Sequence, residues 1–85
     1  MSRSSLFLNA LKRTEKLEKK YPDVETIRSI LRQLEYLIAL DRGEITDRSR
    51  LKDIIVGVQA AREIERLDMT LADTLYRVHD EARRM

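Results

Sequence analysis

Apolar residues recur along this chain at three- and four-residue intervals in four stretches, separated by short polar breaks, and nowhere alternate as a strand would. The spacing predicts an all-α fold, a compact up-and-down bundle of about four helices over residues 4–20, 24–42, 48–66 and 70–83 of a single domain, 1–85. Short connections favour antiparallel neighbours.

In the first stretch Phe7, Ala10, Leu11, Thr14, Leu17 and Tyr21 share one side. Tyr21-Pro22-Asp23 then breaks the chain, because the residue before proline avoids helical backbone and Asp23 can cap the next helix. The second stretch presents Val24, Ile27, Ile30, Leu31, Leu34, Leu37 and Ile38 to a core and ends at Gly43, a C′ glycine. A weaker stripe of Ser29, Gln33, Tyr36 and Leu40 lies to one side of that core face. Thr46 or Asp47 is placed to cap a third helix whose core face reads as Leu51, Ile54, Ile55, Val58 and Ala61. Val56, Ala60, Ile64 and Leu67 fall off that face, the pattern of a centrally placed helix. Gly57 in its middle implies a close approach by a neighbour. Thr70 and Asp73 are spaced as a capping-box variant before Leu71, Leu75 and Val78, the buried side of the fourth helix.

Charge changes this picture only regionally. Of 85 residues, 17 are Lys or Arg and 15 Asp or Glu, and the net charge of +2 divides into +4 over residues 1–20, −3 over 21–47 and +1 over 48–85. Positive charge is concentrated on the first helix alone, so the chain does not read as a nucleic-acid binder. No apolar run approaches the ~20 residues of a spanning helix, so no membrane partner is expected. The first ten residues make a poor signal peptide and there is no cysteine, which fits a cytoplasmic protein.

Catalytic chemistry has little to work with. His79 is the only histidine and has no partner ligand at metal spacing, so it reads as a boundary residue, and no cofactor or metal is expected. The carboxylates sit at salt-bridge spacing to Lys and Arg on polar faces, and no glycine-rich loop could cradle a phosphate. The expectation is a binding module and not an enzyme. Arg48, Arg50 and Lys52 open the third helix as a recognition helix might, which makes a small DNA-binding regulator or antitoxin the alternative, opposed by Asp41, Glu44, Asp47 and Asp53 at the same place. Tyr36 stands out as either an aromatic covered by another helix or a partly exposed anchor rimmed by charge. A third reading is self-association through the Tyr36 stripe or Val56.

Read in order, Tyr21-Pro22, Gln33-Leu34-Glu35-Tyr36-Leu37, Asp47-Arg48-Ser49-Arg50-Leu51, Gly57, Ala61-Arg62-Glu63-Ile64 and Leu75-Tyr76 resemble the pattern of a small bacterial immunity family. Its best-known branch protects type VI secretion producers against an NAD(P)+-hydrolysing effector. The resemblance covers residues 21–76 and not the first helix or the last turn. It implies a cytoplasmic, all-helical protein that binds one cognate toxin domain tightly and blocks its active site, the toxin being an NAD(P)+ glycohydrolase in that branch. Clefts that hold nucleotides tend to be basic, so the acidic segment 21–47 is the expected toxin-binding part, with Glu25, Arg32, Glu35, Tyr36, Asp41, Glu44 and Asp47 as its contact residues. An apolar contact centred on Val56 and Leu40 is the alternative surface.

Overall fold

The computed structural model describes residues 2–85 and is all-α. Helix α1 spans Arg3–Lys20, capped by Ser2, whose side chain accepts from the Ser5 N–H at 3.1 Å. Helix α2 spans Glu25–Asp41. A nine-residue connection, 42–50, leads through a 3₁₀ turn, Leu51–Asp53, to α3, Val56–Gln59, which widens into a π-helical turn over Ala60–Ile64. Helix α4 spans Met69–Arg83.

Helix α1 packs along both α2 and α4, while α3 lies on α4 and touches α2 only at one edge. Between them Phe7, Ala10, Thr14, Ile27, Ile30, Leu34, Leu37, Leu71, Leu75 and Val78 form a continuous buried core. Thr14 enters it without stranding its hydroxyl, which donates to the Ala10 carbonyl at 2.7 Å. Arg13 ties α1 to the start of α4, donating to Thr74 Oγ1 at 2.9 Å and lying 3.8 Å from Asp68. The body measures 33 × 24 × 20 Å, and its least dimension is about two helix diameters, which leaves no room for an enclosed substrate chamber. No helix among the described residues is long and apolar enough to cross a membrane.

The helix ends differ in part from their expected caps. Gly43 has φ +76° and terminates α2 as anticipated. At the other end of α2 the cap is Val24, with no side-chain bond, and not Asp23. Helix α4 is capped by Asp68, which accepts from the Leu71 N–H at 3.0 Å and from the Thr70 hydroxyl at 2.9 Å, so Thr70 supports the cap and does not form it. Both bonds favour the charged carboxyl. Burial by itself would raise the Asp68 pKa, but these bonds and the nearby Arg13 outweigh it and hold the group below its ordinary value.

The third helix departs most from expectation. It starts at Val56 and not at Arg48, and its core face is inverted: Val56, Ala60 and Ile64 are fully buried, whereas Ile55 and Val58 are 47 % and 49 % exposed. Two physical causes combine. Residues 54–56 enter with extended Ile54 backbone, so burial alternates buried, exposed, buried as along a strand, which shifts the face by one residue. The π turn, closed by Glu65 N–H to Ala60 C=O at 3.0 Å, then keeps residues four apart on one side, where a pure α-helix would rotate each onward by about 40°. Gly57 does allow the close approach: a Cβ there would sit 2.9 Å from His79 Cγ of α4.

Candidate functional site

Three parts of the surface carry the residues expected to meet a partner, and they are built differently. Along the outer edge of α2, Glu25, Arg28, Arg32 and Glu35 follow one another at i, i+3, i+7 and i+10, one helical stripe. Arg28 lies 2.7 Å and Arg32 3.1 Å from the Glu25 carboxylate, which is therefore already matched by two guanidiniums. Hydrogen bonds from Arg28 and then Arg32 lower its pKa. Arg28 also donates to the Pro22 carbonyl, fastening the α1–α2 turn. Glu35 is exposed and makes no ion pair among the described residues.

Asp41 lies at the far end of α2, turned toward α1 and α4. Arg3 sits 3.8 Å from it and 3.8 Å from Glu81, bridging three helices at that end of the bundle. The structure therefore separates Asp41 from the Glu25–Glu35 stripe, about 24 Å along the axis from Glu25.

Residues 42–50 form the most exposed part of the chain, and they carry Glu44 and Asp47. Here the expected role of Tyr36 changes. Its ring is 6 % exposed, so it is not a partly exposed anchor. The connection folds over it: the Tyr36 hydroxyl donates to the Asp47 carbonyl at 2.7 Å, and the Arg50 guanidinium lies 4.7 Å from the ring centroid. Asp47 in turn accepts from the Ser49 N–H at 2.9 Å, a local bond that shapes the turn, and hydrogen bonding from the Ser49 side chain and then from this N–H lowers the Asp47 pKa. Glu44 and Asp47 make no ion pair among the described residues, and the exposed loop presents these two carboxylates between Arg42, Arg48 and Arg50. The same arrangement removes the recognition helix of the DNA-binding alternative: Arg48 and Arg50 lie before the 3₁₀ turn, and Arg50 is folded onto Tyr36.

The Ser29–Gln33 part of the Tyr36 stripe, expected as a covered face or a self-association surface, fastens the chain internally. Gln33 Oε1 accepts from the Ile55 N–H at 2.8 Å, replacing the helical partner that N–H would otherwise find. Its amide nitrogen donates to Gln59 Oε1 at 2.7 Å, and both Gln33 and Gln59 donate to Ser29 Oγ, at 3.2 and 3.1 Å. This network stops the helix from running back through Ile55 and pins α3 to α2. Ser29 and Gln33 at i and i+4 beside a core face were the available signal, but the matching Gln59 stands 26 residues further on. The α3 placement also corrects the apolar alternatives. Val56 is fully buried and Leu40 is 8 % exposed, so neither centres a contact or a self-association surface. The exposed large apolar residues are instead Ile45, Ile55, Val58 and Met69 among the described residues.

No arrangement among these groups resembles an acid–base or nucleophilic site. His79 Nδ1 faces the Gly57 N–H at 3.4 Å, and among the described residues no three metal-binding side chains are grouped. Tyr76 donates its hydroxyl to Glu65, and this bond pushes its pKa up to about 12. Surface grooves are open and lined by long charged side chains. What these parts offer is ordered backbone, carboxylates outside ion pairs among the described residues, and flanking cations.

The family model named Tsi6 matches residues 3–84. Among solved structures, a chain from the structure of Tse6 in complex with Tsi6 superposes with a TM-score of 0.91 at 25 % identity, over 99 % of this chain and 89 % of that one. The structure of Tsi6 from Pseudomonas aeruginosa gives a TM-score of 0.88 at 24 % identity, over 96 % of this chain and 95 % of that one, a likeness of fold. No curated protein sequence matches.

Proposed function

The chain belongs to the Tsi6 family of small helical bacterial immunity proteins, and from that premise we propose that it binds a cognate secreted toxin domain in the cytoplasm and blocks its active site. The toxin is an NAD(P)+ glycohydrolase delivered by type VI secretion. The chain performs no reaction of its own and needs no cofactor.

The observation that carries this reading is the match over nearly the whole chain to a structure solved as a complex, combined with an ordered loop that holds Glu44 and Asp47 outside any ion pair among the described residues. Contact is made by Glu44 and Asp47 on the loop and by Glu35 and Arg32 on the α2 stripe. Glu25 and Asp41 contribute less charge, because Arg28, Arg32 and Arg3 already neutralise them. Tyr36 acts indirectly, by holding the Asp47 backbone where a basic cleft meets it. Uncompensated carboxylates preset in this way lose little freedom on binding, and they can stand where a nucleotide's phosphates would.

Coexpression tests the proposal. The protein should copurify with the C-terminal domain encoded by the adjoining toxin gene and restore growth to cells making that domain. Reversing the loop charge with Glu44→Lys and Asp47→Lys should weaken both effects, and should slow association most at low ionic strength. Growth arrest that persists despite abundant folded protein would refute the assignment. Unchanged affinity of the double variant would remove the loop from the contact.

A further inference from the structure

Between the 3₁₀ turn and the end of α4 lies a groove of about 460 Å³ with an unusual lining. Half-buried Leu51 and Met85 supply its apolar surface, backed by the buried Ile54 and Ala82, and the ionisable side chains at its margin, Lys52, His79 and Arg83, include no carboxylate. Such a site suits a segment that presents an apolar side chain together with acidic ones; a bare phosphate would leave the apolar floor unused. The exposed loop of this same protein has that chemistry in four consecutive residues, Glu44-Ile45-Thr46-Asp47, with Ile45 37 % exposed.

We propose that the groove seats the 44–47 loop of a second copy of this chain, Ile45 entering the Leu51, Ile54 and Met85 surface while Glu44 and Asp47 meet Lys52 and Arg83. Asp47 and Leu51 are four residues apart, a reach of at most about 14 Å, so loop and groove belong to one neighbourhood of the surface. A twofold pairing then forms the contact twice, each copy giving its loop and receiving its partner's, and the assembly closes at two. The loop is ordered by Tyr36 and Ser49 before any encounter, which limits the entropy lost. The contact is small and its charges are exposed, so the pair is weak and salt-sensitive. The pair uses the same Glu44 and Asp47 as the proposed toxin contact and so competes with it, but it is measured on the protein alone, so its failure leaves the toxin-binding reading standing.

Charge exchange provides the test. In sedimentation velocity at about 50 mM salt, the mean mass of the wild type should rise from 10.0 kDa toward twice that value with concentration, and should fall back at about 500 mM salt. A loop variant, Glu44→Lys with Asp47→Lys, and a groove variant, Lys52→Glu with Arg83→Glu, should each remain single. Mixed one to one, they should pair again, because both contacts of the mixed dimer then join opposite charges. All four positions are exposed, and helical circular dichroism checks that each variant is folded. A wild type that stays single at about 1 mM in low salt overturns the proposal and leaves the groove to another acidic protein segment. So does pairing that survives either variant alone, or failure of the mixture to pair.

Discussion

Replacing Gly57 with alanine sets two opposed effects against each other at one atom. In an ordinary helix the change stabilises by roughly 0.5–1 kcal/mol, since alanine loses less backbone entropy. The backbone does not forbid it, because Gly43 alone has positive φ among the described residues. Yet the added Cβ would lie 2.9 Å from His79 Cγ and 3.2 Å from both its Cβ and Nδ1. Those atoms sit at the root of the imidazole, so the ring cannot swing clear without α4 or α3 moving. Overpacking of this kind costs about 1–3 kcal/mol, which exceeds the propensity gain. The expected net loss is about 0.5–2 kcal/mol, or about 2–16 °C in Tm at about 4–8 °C per kcal/mol for a domain of this size. Urea denaturation followed at 222 nm measures it. A His79→Ala background removes the Cγ and Nδ1 contacts and leaves only the Cβ at 3.2 Å, so the same Gly57→Ala change should come close to neutral, a coupling of about 1 kcal/mol. Equal stabilisation by Gly57→Ala in both backgrounds would refute the close-approach account of this glycine.

Three further outcomes rest on single contacts. Tyr36→Phe keeps the buried ring but deletes the bond to the Asp47 carbonyl, so stability should fall by about 0.5–1.5 kcal/mol and amide exchange across 44–50 should accelerate; unchanged exchange would mean that the loop is ordered by other contacts. Asp68→Ala should cost about 0.5–2 kcal/mol as a lost cap. The folded-state pKa of Asp68 is lowered, so its electrostatic contribution is present above the unfolded value near 3.9 and disappears as pH falls through the folded value. Asp68→Asn should therefore flatten the acid limb of the stability profile, and an unaltered limb would count against the charge. Tyr76 has the opposite sign: its folded pKa of about 12 lies above the ordinary 10, so its contribution is intact below pH 10 and is lost as pH rises through 12. Absorbance at 295 nm during alkaline titration should reveal one late-ionising tyrosine, absent in Tyr76→Phe.

Periodicity carried the fold where a segment is a plain amphipathic helix. Phe7, Ala10, Thr14 and Leu17 in α1, and Ile27, Ile30, Leu34 and Leu37 in α2, are buried as their spacing requires. It failed over 48–58, because a 100° rule applied to a stretch that is first loop, then 3₁₀, then extended assigns side chains to the wrong face. Long-range polar contacts caused that failure: Gln33 takes the Ile55 N–H and Tyr36 takes the Asp47 carbonyl, and neither pairing leaves a local trace. For the contact surface, the acidic region was readable from composition. Its division was not, since only the folded chain places Arg3 beside Asp41 and leaves Glu35, Glu44 and Asp47 outside the ion pairs of the described residues.

The most direct measurement titrates the protein into the purified toxin domain from the adjoining locus while NAD(P)+ hydrolysis is followed. Blocking of an active site predicts loss of turnover in proportion to the protein added, complete at one equivalent, with excess dinucleotide slowing the onset of inhibition. Full turnover in the presence of a stable complex would place the contact away from the cleft, and full turnover with no complex would contradict the account altogether.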